Sequence, residues 1–383
     1  MSESARGEGG RVWVPKNRGE KRSPSSIPEN ERRYFLEEKY PAYGNLVPRD
    51  IATREIFQIC LEGMGVNGEN QVYLDLTHIP ADVLDKKLGA ILEIYEMFVG
   101  DDPRHVPMRI FPGVHYSMGG LWVDFDQRTN ISGLLAAGEC DYSIHGANRL
   151  GANSLVSCVY GGFVAAPAAI DWAKNVQRNG MNGSRIFEQE TMRQQELNDR
   201  LIGQSGTENQ YVIHEEMGRI MTDNVTVVRY NDRLKQTDDK LRELTERYER
   251  VSINDSNLWA TMALPHARQL RNMLDLARVI TLGALNRNES RGAHYKPDFP
   301  NRDDANWLKT TVAEYSGEGP VFSYEPVDIS LVSPRKRDYS HEKKETAPAS
   351  GPSQKAGAPQ IPASEMQQKP ANLSGPAGDT KVN

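Results

Sequence analysis

Cysteine is scarce: the 383 residues hold three, Cys60, Cys140 and Cys158. So few and so widely spaced, they exclude a disulfide framework and a cysteine-ligated metal cluster, and they point to a reducing compartment. Basic charge is not in excess either. Lys and Arg number 46 against 52 Asp and Glu, a net charge of −6, so the electrostatic footprint of a nucleic-acid-binding surface is missing. No signal peptide opens the chain, and no apolar run approaches the roughly 20 residues that span a bilayer. Membrane association is therefore expected to come through partners. What the chain has is length, enough to bury a large core in roughly two or three domains.

Turn and helix signals organise the first hundred residues. Met1–Gly10 reads as a Gly-rich polar loop with no strand before it. Residues 16–33 are basic, Ser/Pro-rich and aperiodic, and they lack the aromatics that would stack bases, so a surface loop is expected. Val47-Pro48-Arg49-Asp50 leads into a helix, with Asp50 as N-cap and Arg49 just outside it. Ala52, Ile56, Ile59 and Cys60 mark that helix's apolar face. Gly63–Gly68 spells GxGxxG, the spacing of a dinucleotide fingerprint. Here a helix enters the glycines and an alternating strand (Val72, Leu74, Leu76) leaves them, whereas the fingerprint needs the reverse order; the run is a helix stop and turn. Leu84, Leu88, Ile91, Leu92 and Tyr95 form the stripe of a second helix ending near Gly100.

Residues 106–175 read as strand, strand, strand, helix. Leu121–Phe125 alternates, Gly133–Gly138 is expected to be a fully buried strand closed by Glu139, and a helix of small residues starts at about Ser154. From Ser184 to Ser290 the pattern is helical: Leu234, Leu241 and Tyr248, with Leu244 and Val251, make a bundle seam that Leu270, Leu274, Ala277 and Ala284 continue. Beyond His341 the chain is Pro, Ala, Ser, Gln and Lys without apolar periodicity, so residues 341–383 are expected to be a disordered tail.

The stretch Phe111–Gly162 packs more polar side chains between apolar elements than folding demands: His115 before a Gly pair, Glu139 at an apparent strand end, then His145, Asn148, Arg149 and Asn153 in one loop. Its HYSMGG, AAGE and HGANRLGANSL, in that order, resemble the succinate dehydrogenase and fumarate reductase flavoprotein subunits. SESARGEGG at the start is similar to that family's TEGxRGEGG loop, and ESRGAH with DFPNRDD near residue 300 resembles a further family segment.

The resemblance implies an α/β + α fold: part of a FAD-binding, glutathione-reductase-like domain with a capping domain and a carboxyl-terminal helical bundle. The expected divisions are 1–105 (capping portion, 16–33 a surface loop), 106–176 (FAD-binding portion), 177–340 (helical) and the tail. The family's first flavin-binding strand and Gly-rich turn, its flavin-attaching His and one substrate-binding His have no counterpart here. The expectation is a carboxyl-terminal portion, inactive alone.

For the site, the resemblance implies succinate and fumarate as substrates, with His115, Arg149 and Ser2 holding the carboxylates. Arg149 supplies a planar fork suited to one of them. Arg49 is implied as the proton-transferring residue, with Glu3 and Arg6 relaying to solvent. An unperturbed guanidinium stays protonated, so this role needs neighbouring cations and a dry pocket. FAD is the implied acceptor of hydride at N5, with Glu139 bonding its hydroxyls as an acceptor-only group and Asn153, Ser154 and Leu155 offering a helix amino terminus to the isoalloxazine. The implied partners are an iron–sulfur subunit and a membrane-anchor cytochrome b subunit that passes electrons to quinone. The implied location is the cytoplasmic face of the inner membrane, reached peripherally. Other readings stay open: the fumarate reductase direction, an L-aspartate oxidase-like enzyme, or a non-catalytic remnant or assembly scaffold.

Overall fold

A computed structural model of the protein describes residues 2–142, 144–151, 153–176, 183–255, 257 and 261–334. The chain divides into residues 1–341 and 342–383; the second unit, and with it the expected tail, lies outside the described residues.

The first layer is an antiparallel sheet. Strands β1 (Arg11–Pro15), β2 (Arg32–Arg33), β3 (Val72–Asp75) and β4 (Met108–Ile110) lie in the order β2-β1-β3-β4. Trp13 pairs with Tyr73, and Leu74 with Met108. Both faces are covered. Val12, Val14 and Leu74 pack with Ile56 and Ile59 of helix α3 (Arg49–Leu61) and Leu84, Leu88 and Leu92 of α4 (Ala81–Val99). On the other face Trp13 and Tyr73 meet Ile27 and Val66, which explains why the central strands read as continuous rather than alternating burial. Buried Asp75 holds this side together, accepting from Trp13 Nε1 at 3.2 Å, Arg32 Nη1 at 3.1 Å and Thr77 Oγ1 at 2.7 Å.

Three local expectations change here. The opening is helical, α1 (Ser2–Gly7), rather than a loop. The 16–33 segment is more than surface, because Ile27 is buried in the core and Arg32–Arg33 joins the sheet. Pro48, not Asp50, caps α3, and Arg49 is its first helical residue; proline's fixed φ suits the entry to a helix and needs no side-chain cap. The reading of Gly63–Gly68 stands, with α3 before it and β3 after. Short α2 (Phe35–Lys39) contributes Phe35 and Leu36 to the core. Burial pushes the Cys60 thiol up to about 11, which leaves it an inert core residue.

The middle of the chain departs most from expectation. Among the described residues, Leu121–Phe125 and Gly133–Gly138 are extended segments with isolated bridges (Leu121 to Asp141, Arg128 to Leu135) instead of strands. Leu134 and Phe125 are exposed. A strand needs a neighbour to take its N–H and C=O groups over several residues; here Leu134–Ala136 meets Gln127–Thr129 through two backbone bonds, of 3.0 and 3.1 Å, and Leu121 meets Cys140 and Tyr142 through two more, of 2.7 and 3.2 Å, so each pairing stays an isolated bridge. Gly133–Gly138 lies against α5 (Asn153–Asn175): Gly138 sits at φ 83°, and a Cβ on it would stand 2.8 Å from Cys158 Sγ. Contrary to the sequence reading, α5 is long and apolar enough, by length and composition, to cross a membrane. Only Ser157, Gly161 and Ala168 of it are buried, while Leu155, Val159 and Phe163 are exposed.

The helical part follows its seam. Helices α6 (Gly183–Gly203), α7 (Gln210–Met221), α8 (Asn231–Tyr248) and α9 (Ala263–Asn286) enclose Leu201, Ile213, Leu241, Leu244, Tyr248, Leu270 and Leu274. Asp238 within it is buried between Arg242 and Arg278, both at 2.9 Å. A short α10 (Asp304–Trp307) and the hairpin β5 (Lys309–Glu314) with β6 (Val321–Pro326) close the described chain.

Candidate active site

The site starts from how α3 is aimed. Arg6 is buried at the end of α1, and its Nη1 donates to the carbonyls of Asn45 at 2.8 Å and Val47 at 3.1 Å. Those carbonyls belong to the approach to Pro48, so a charged donor from the opening helix fixes where α3 begins. The first turn of α3 then presents Arg49 together with the free N–H groups and positive end of a 13-residue helix. Its guanidinium reaches the loop that ends at residue 151, ahead of α5, since a Cβ on Gly151 would stand 3.4 Å from Arg49 Nη2.

Two residues before Gly151 is Arg149, only 7% exposed. Its guanidinium lies over the Tyr116 ring, 4.9 Å from the centroid, and its Nη1 donates to the Leu150 carbonyl at 3.0 Å. Its Nε is buried with no acceptor among the described residues. A buried, charged donor without a partner costs about 1–3 kcal/mol or more. An acceptor reaching the Nε would recover that cost.

Tyr116 is held in turn. His145 Nε2 lies 3.2 Å from Tyr116 Oη and 3.1 Å from Ser157 Oγ, with Tyr116 and Ser157 3.3 Å apart. Ser157 spends its hydroxyl proton on the Ser154 carbonyl at 2.7 Å. Its oxygen therefore accepts, which puts the His145 proton on Nε2. His145 and Tyr116 meet edge to face at 5.2 Å. From the sequence His145 is marked out as a polar loop residue without a role, and Tyr116 and Ser157 are not marked out at all; the motif held them, but only the fold closes the triangle.

His115, next to Tyr116, is exposed, and two residues on Ser117 donates its N–H to Glu139 Oε1 at 2.9 Å. Glu139 sits in a tight turn rather than at a strand end and leaves an exposed carboxylate. Asn153 and Ser154, half-buried, and Leu155, exposed, form the first turn of α5. The structure thus brings Arg149 onto the Tyr116 ring and Arg49 to Gly151 two residues further on, while Glu139, bonded to Ser117, lies in the turn that packs against α5; His115 is exposed next to Tyr116 in the chain. Ser2 and Glu3 belong to α1 by their backbone, and their side chains lie outside the described residues. As a cradle for FAD Glu139 and the α5 amino terminus fit: an exposed acceptor-only carboxylate beside a helix start, on a helix that Gly138 and Gly161 let the extended segment approach closely, since a Cβ on Gly161 would stand 3.0 Å from the Ala137 side chain.

Comparison with known proteins gives this geometry its context. An FAD binding domain model matches residues 1–155, and a fumarate reductase flavoprotein C-terminal model matches residues 214–339. The succinate dehydrogenase flavoprotein subunit of Bacillus subtilis is 58% identical over 347 residues, covering 90% of this chain and 57% of that protein. The chain belongs to the succinate dehydrogenase and fumarate reductase flavoprotein family. The fumarate reductase flavoprotein subunit of Escherichia coli is 36% identical, covering 89% of the chain and 57% of that subunit. A solved quinol–fumarate reductase with menaquinol molecules superposes with a TM-score of 0.77 at 32% identity, over 88% of this chain and 58% of that one. The chain spans about 57% of the length of the curated relatives it matches.

Proposed function

We propose that this chain carries the dicarboxylate-binding side of an FAD-dependent succinate dehydrogenase, removing two hydrogens across the central C–C bond of succinate to give fumarate. The observation that carries this reading is Arg149, buried, stacked on Tyr116 and left with an unpartnered Nε, across the Gly151 loop from Arg49. One substrate carboxylate takes the Arg149 fork and His115; the other lies toward Ser2. Arg49 exchanges the proton, and Glu3 and Arg6 pass it toward solvent. Arg6 also fixes the start of α3, which supports Arg49 being held rather than free to swing. Glu139 and the first turn of α5 (Asn153, Ser154, Leu155) hold FAD, which when bound supplies the two-electron acceptor the reaction needs.

As in the quinol-linked relatives, we assign an iron–sulfur subunit and a membrane-anchor cytochrome b subunit as partners, and a peripheral position at the cytoplasmic face of the membrane. The chain corresponds to an FAD-binding portion, a capping portion around the sheet and a carboxyl-terminal helical portion. The test is succinate-dependent reduction of a dye by the flavin-loaded, assembled enzyme, inhibited competitively by malonate, a dicarboxylate too short to be dehydrogenated. A flavin-loaded enzyme that neither reduces dye with succinate nor binds malonate would sink the reading.

A further inference from the structure

The ESRGAH segment has no role in the site described so far, yet it reaches the site's loop. We propose that residues Arg291–Tyr295 are a positioning clamp that fixes the carboxylate fork at Arg149 relative to Arg49, by holding the Ala147 backbone and helix α3 at the same time. This rests on the reading of Arg149 given above.

One jaw grips the loop. The Ala293 N–H donates to the Ala147 carbonyl at 2.8 Å, two residues before Arg149. Gly292 lies flat against the same peptide: it sits at φ 59°, and a Cβ there would stand 2.2 Å from the Ala147 oxygen and 2.9 Å from its Cβ. Only glycine permits both the backbone conformation and the approach. The other jaw grips α3, where Arg54 Nη2 donates to the Gly292 carbonyl at 2.7 Å and the guanidinium covers the Tyr295 ring at 4.3 Å. Arg54 stands five residues after Arg49, about 7.5 Å along one rigid helix at 1.5 Å per residue. A shift of the clamp thus moves the fork against Arg49.

The base of the clamp is stiff. Arg291 and His294 close a tight turn through backbone bonds of 2.8 and 3.0 Å. His294 donates from Nε2 to the Arg287 carbonyl at 2.9 Å and accepts at Nδ1 from Arg229 at 2.5 Å, so it is held neutral in one tautomer. Fully buried Glu289 accepts from Arg291 Nε at 2.8 Å and Nη2 at 3.0 Å, and from Arg287 at 2.8 Å. Removing one partner from such a network leaves a charge stranded, which makes the turn a poor place for slack.

The experiment measures malonate affinity, by perturbation of the flavin absorbance, in the assembled enzyme carrying Gly292→Ala, Arg54→Gln or Arg149→Lys, with flavin-to-protein ratio as the folding control. The expected result is at least tenfold weaker malonate binding in Gly292→Ala and severalfold in Arg54→Gln at unchanged flavin content, with KM for succinate rising in step. A merely structural role would lower the flavin ratio and leave the affinity of the flavin-loaded fraction unchanged. If Gly292→Ala does not fold, Arg54→Gln decides. Malonate affinity within twofold of the parent in the clamp variants, with Arg149→Lys weakened, would overturn the clamp alone. An unchanged Arg149→Lys would overturn the site reading, and the clamp with it.

Discussion

Replacing Arg149 with Lys keeps the charge and removes the geometry. Arg149 makes one bond to its own loop, at 3.0 Å to the Leu150 carbonyl, stacks on Tyr116 at 4.9 Å, and holds a buried Nε in reserve. Lysine offers a point charge with rotatable donors, so it loses the planar fork, the stacking and the reserved donor together. A hydrogen bond to a charged group is worth about 1.5–3 kcal/mol, which at about 1.4 kcal/mol per decade is roughly ten- to a hundredfold. Succinate KM should rise by about that factor; kcat should fall as well where the fork also orients the reacting carbons. Steady-state dye reduction by the assembled enzyme reads both, with flavin content confirming an intact cofactor site. The same geometry makes a second, opposite demand. Because the Nε is unpartnered without ligand, the ligand-free Arg149→Lys protein should lose little or no thermal stability, while the stabilisation that malonate confers on the parent should largely vanish. Succinate kinetics within twofold of the parent, or a malonate-induced Tm shift that survives the substitution, would refute the argument and remove Arg149 from the substrate site.

His294 gives a pH signature. Burial, then the adjacent Arg229, pushes its imidazolium down to about 3 from an ordinary 6.5, so the unfolded chain takes up a proton that the folded one refuses. Its contribution to stability is therefore present above about pH 6.5 and is lost as pH falls toward 3, at up to about 1.4 kcal/mol per pH unit. Denaturant titrations at pH 7 and 5 should show a shallower pH dependence in His294→Asn, which cannot charge; equal slopes would exclude His294 as the source. Gly138→Ala, strained at φ 83° and 2.8 Å from Cys158 Sγ, should cost about 1–3 kcal/mol and loosen the Glu139 turn, visible as a lower Tm and reduced flavin retention; an unchanged Tm would mean that α5 yields. Residues 1–383 expressed alone expose Phe163 at 76% and Phe125 at 99%, a surface that drives self-association; light scattering should find aggregates that Val159→Ser with Phe163→Ser reduces, whereas a monodisperse parent would contradict the exposure.

Where a residue's partners are near in sequence, the pattern gave the right element. Leu84, Leu88, Leu92 and Tyr95 line α4, and Leu234, Leu241, Leu244 and Tyr248 line α8, because a helix meets its core at its own period. Gly63–Gly68 was separable from a nucleotide-binding turn by the order of its neighbours. The strand expectation at Gly133–Gly138 failed for the complementary reason. An apolar run of that length has the composition of a buried strand, but being a strand is a property of two segments, and composition does not say that its pairing with Gln127–Thr129 stops after a single bridge. The helical character of α5 was foreseen at its start while its apolar length was missed, since Gly161, Gly162 and Pro167 break up the look of the run without lowering its hydropathy enough.

The site divides the same way, and the division says what holds it together. Arg149, His115 and Arg49 are legible in the sequence because they fall on motif positions of the family it resembles, the HYSMGG and HGANRLGANSL runs and the Arg-Asp pair at a helix start. What aims them is not conspicuous at all. Arg6 acts through the carbonyls of Asn45 and Val47, 39 and 41 residues away, Ala293 through the carbonyl of Ala147, and Arg54 through that of Gly292, 238 residues away. Every one of these bonds ends on a backbone carbonyl, which each residue possesses and no side-chain pattern announces. A carbonyl acceptor also carries no charge that could be shifted or screened away, so the position of the fork depends on chain geometry more than on the ionic surroundings. The loop bearing Arg149 should accordingly tolerate changes in surface charge and salt far better than the addition of one methyl group at Gly292, where the chain has no room to move.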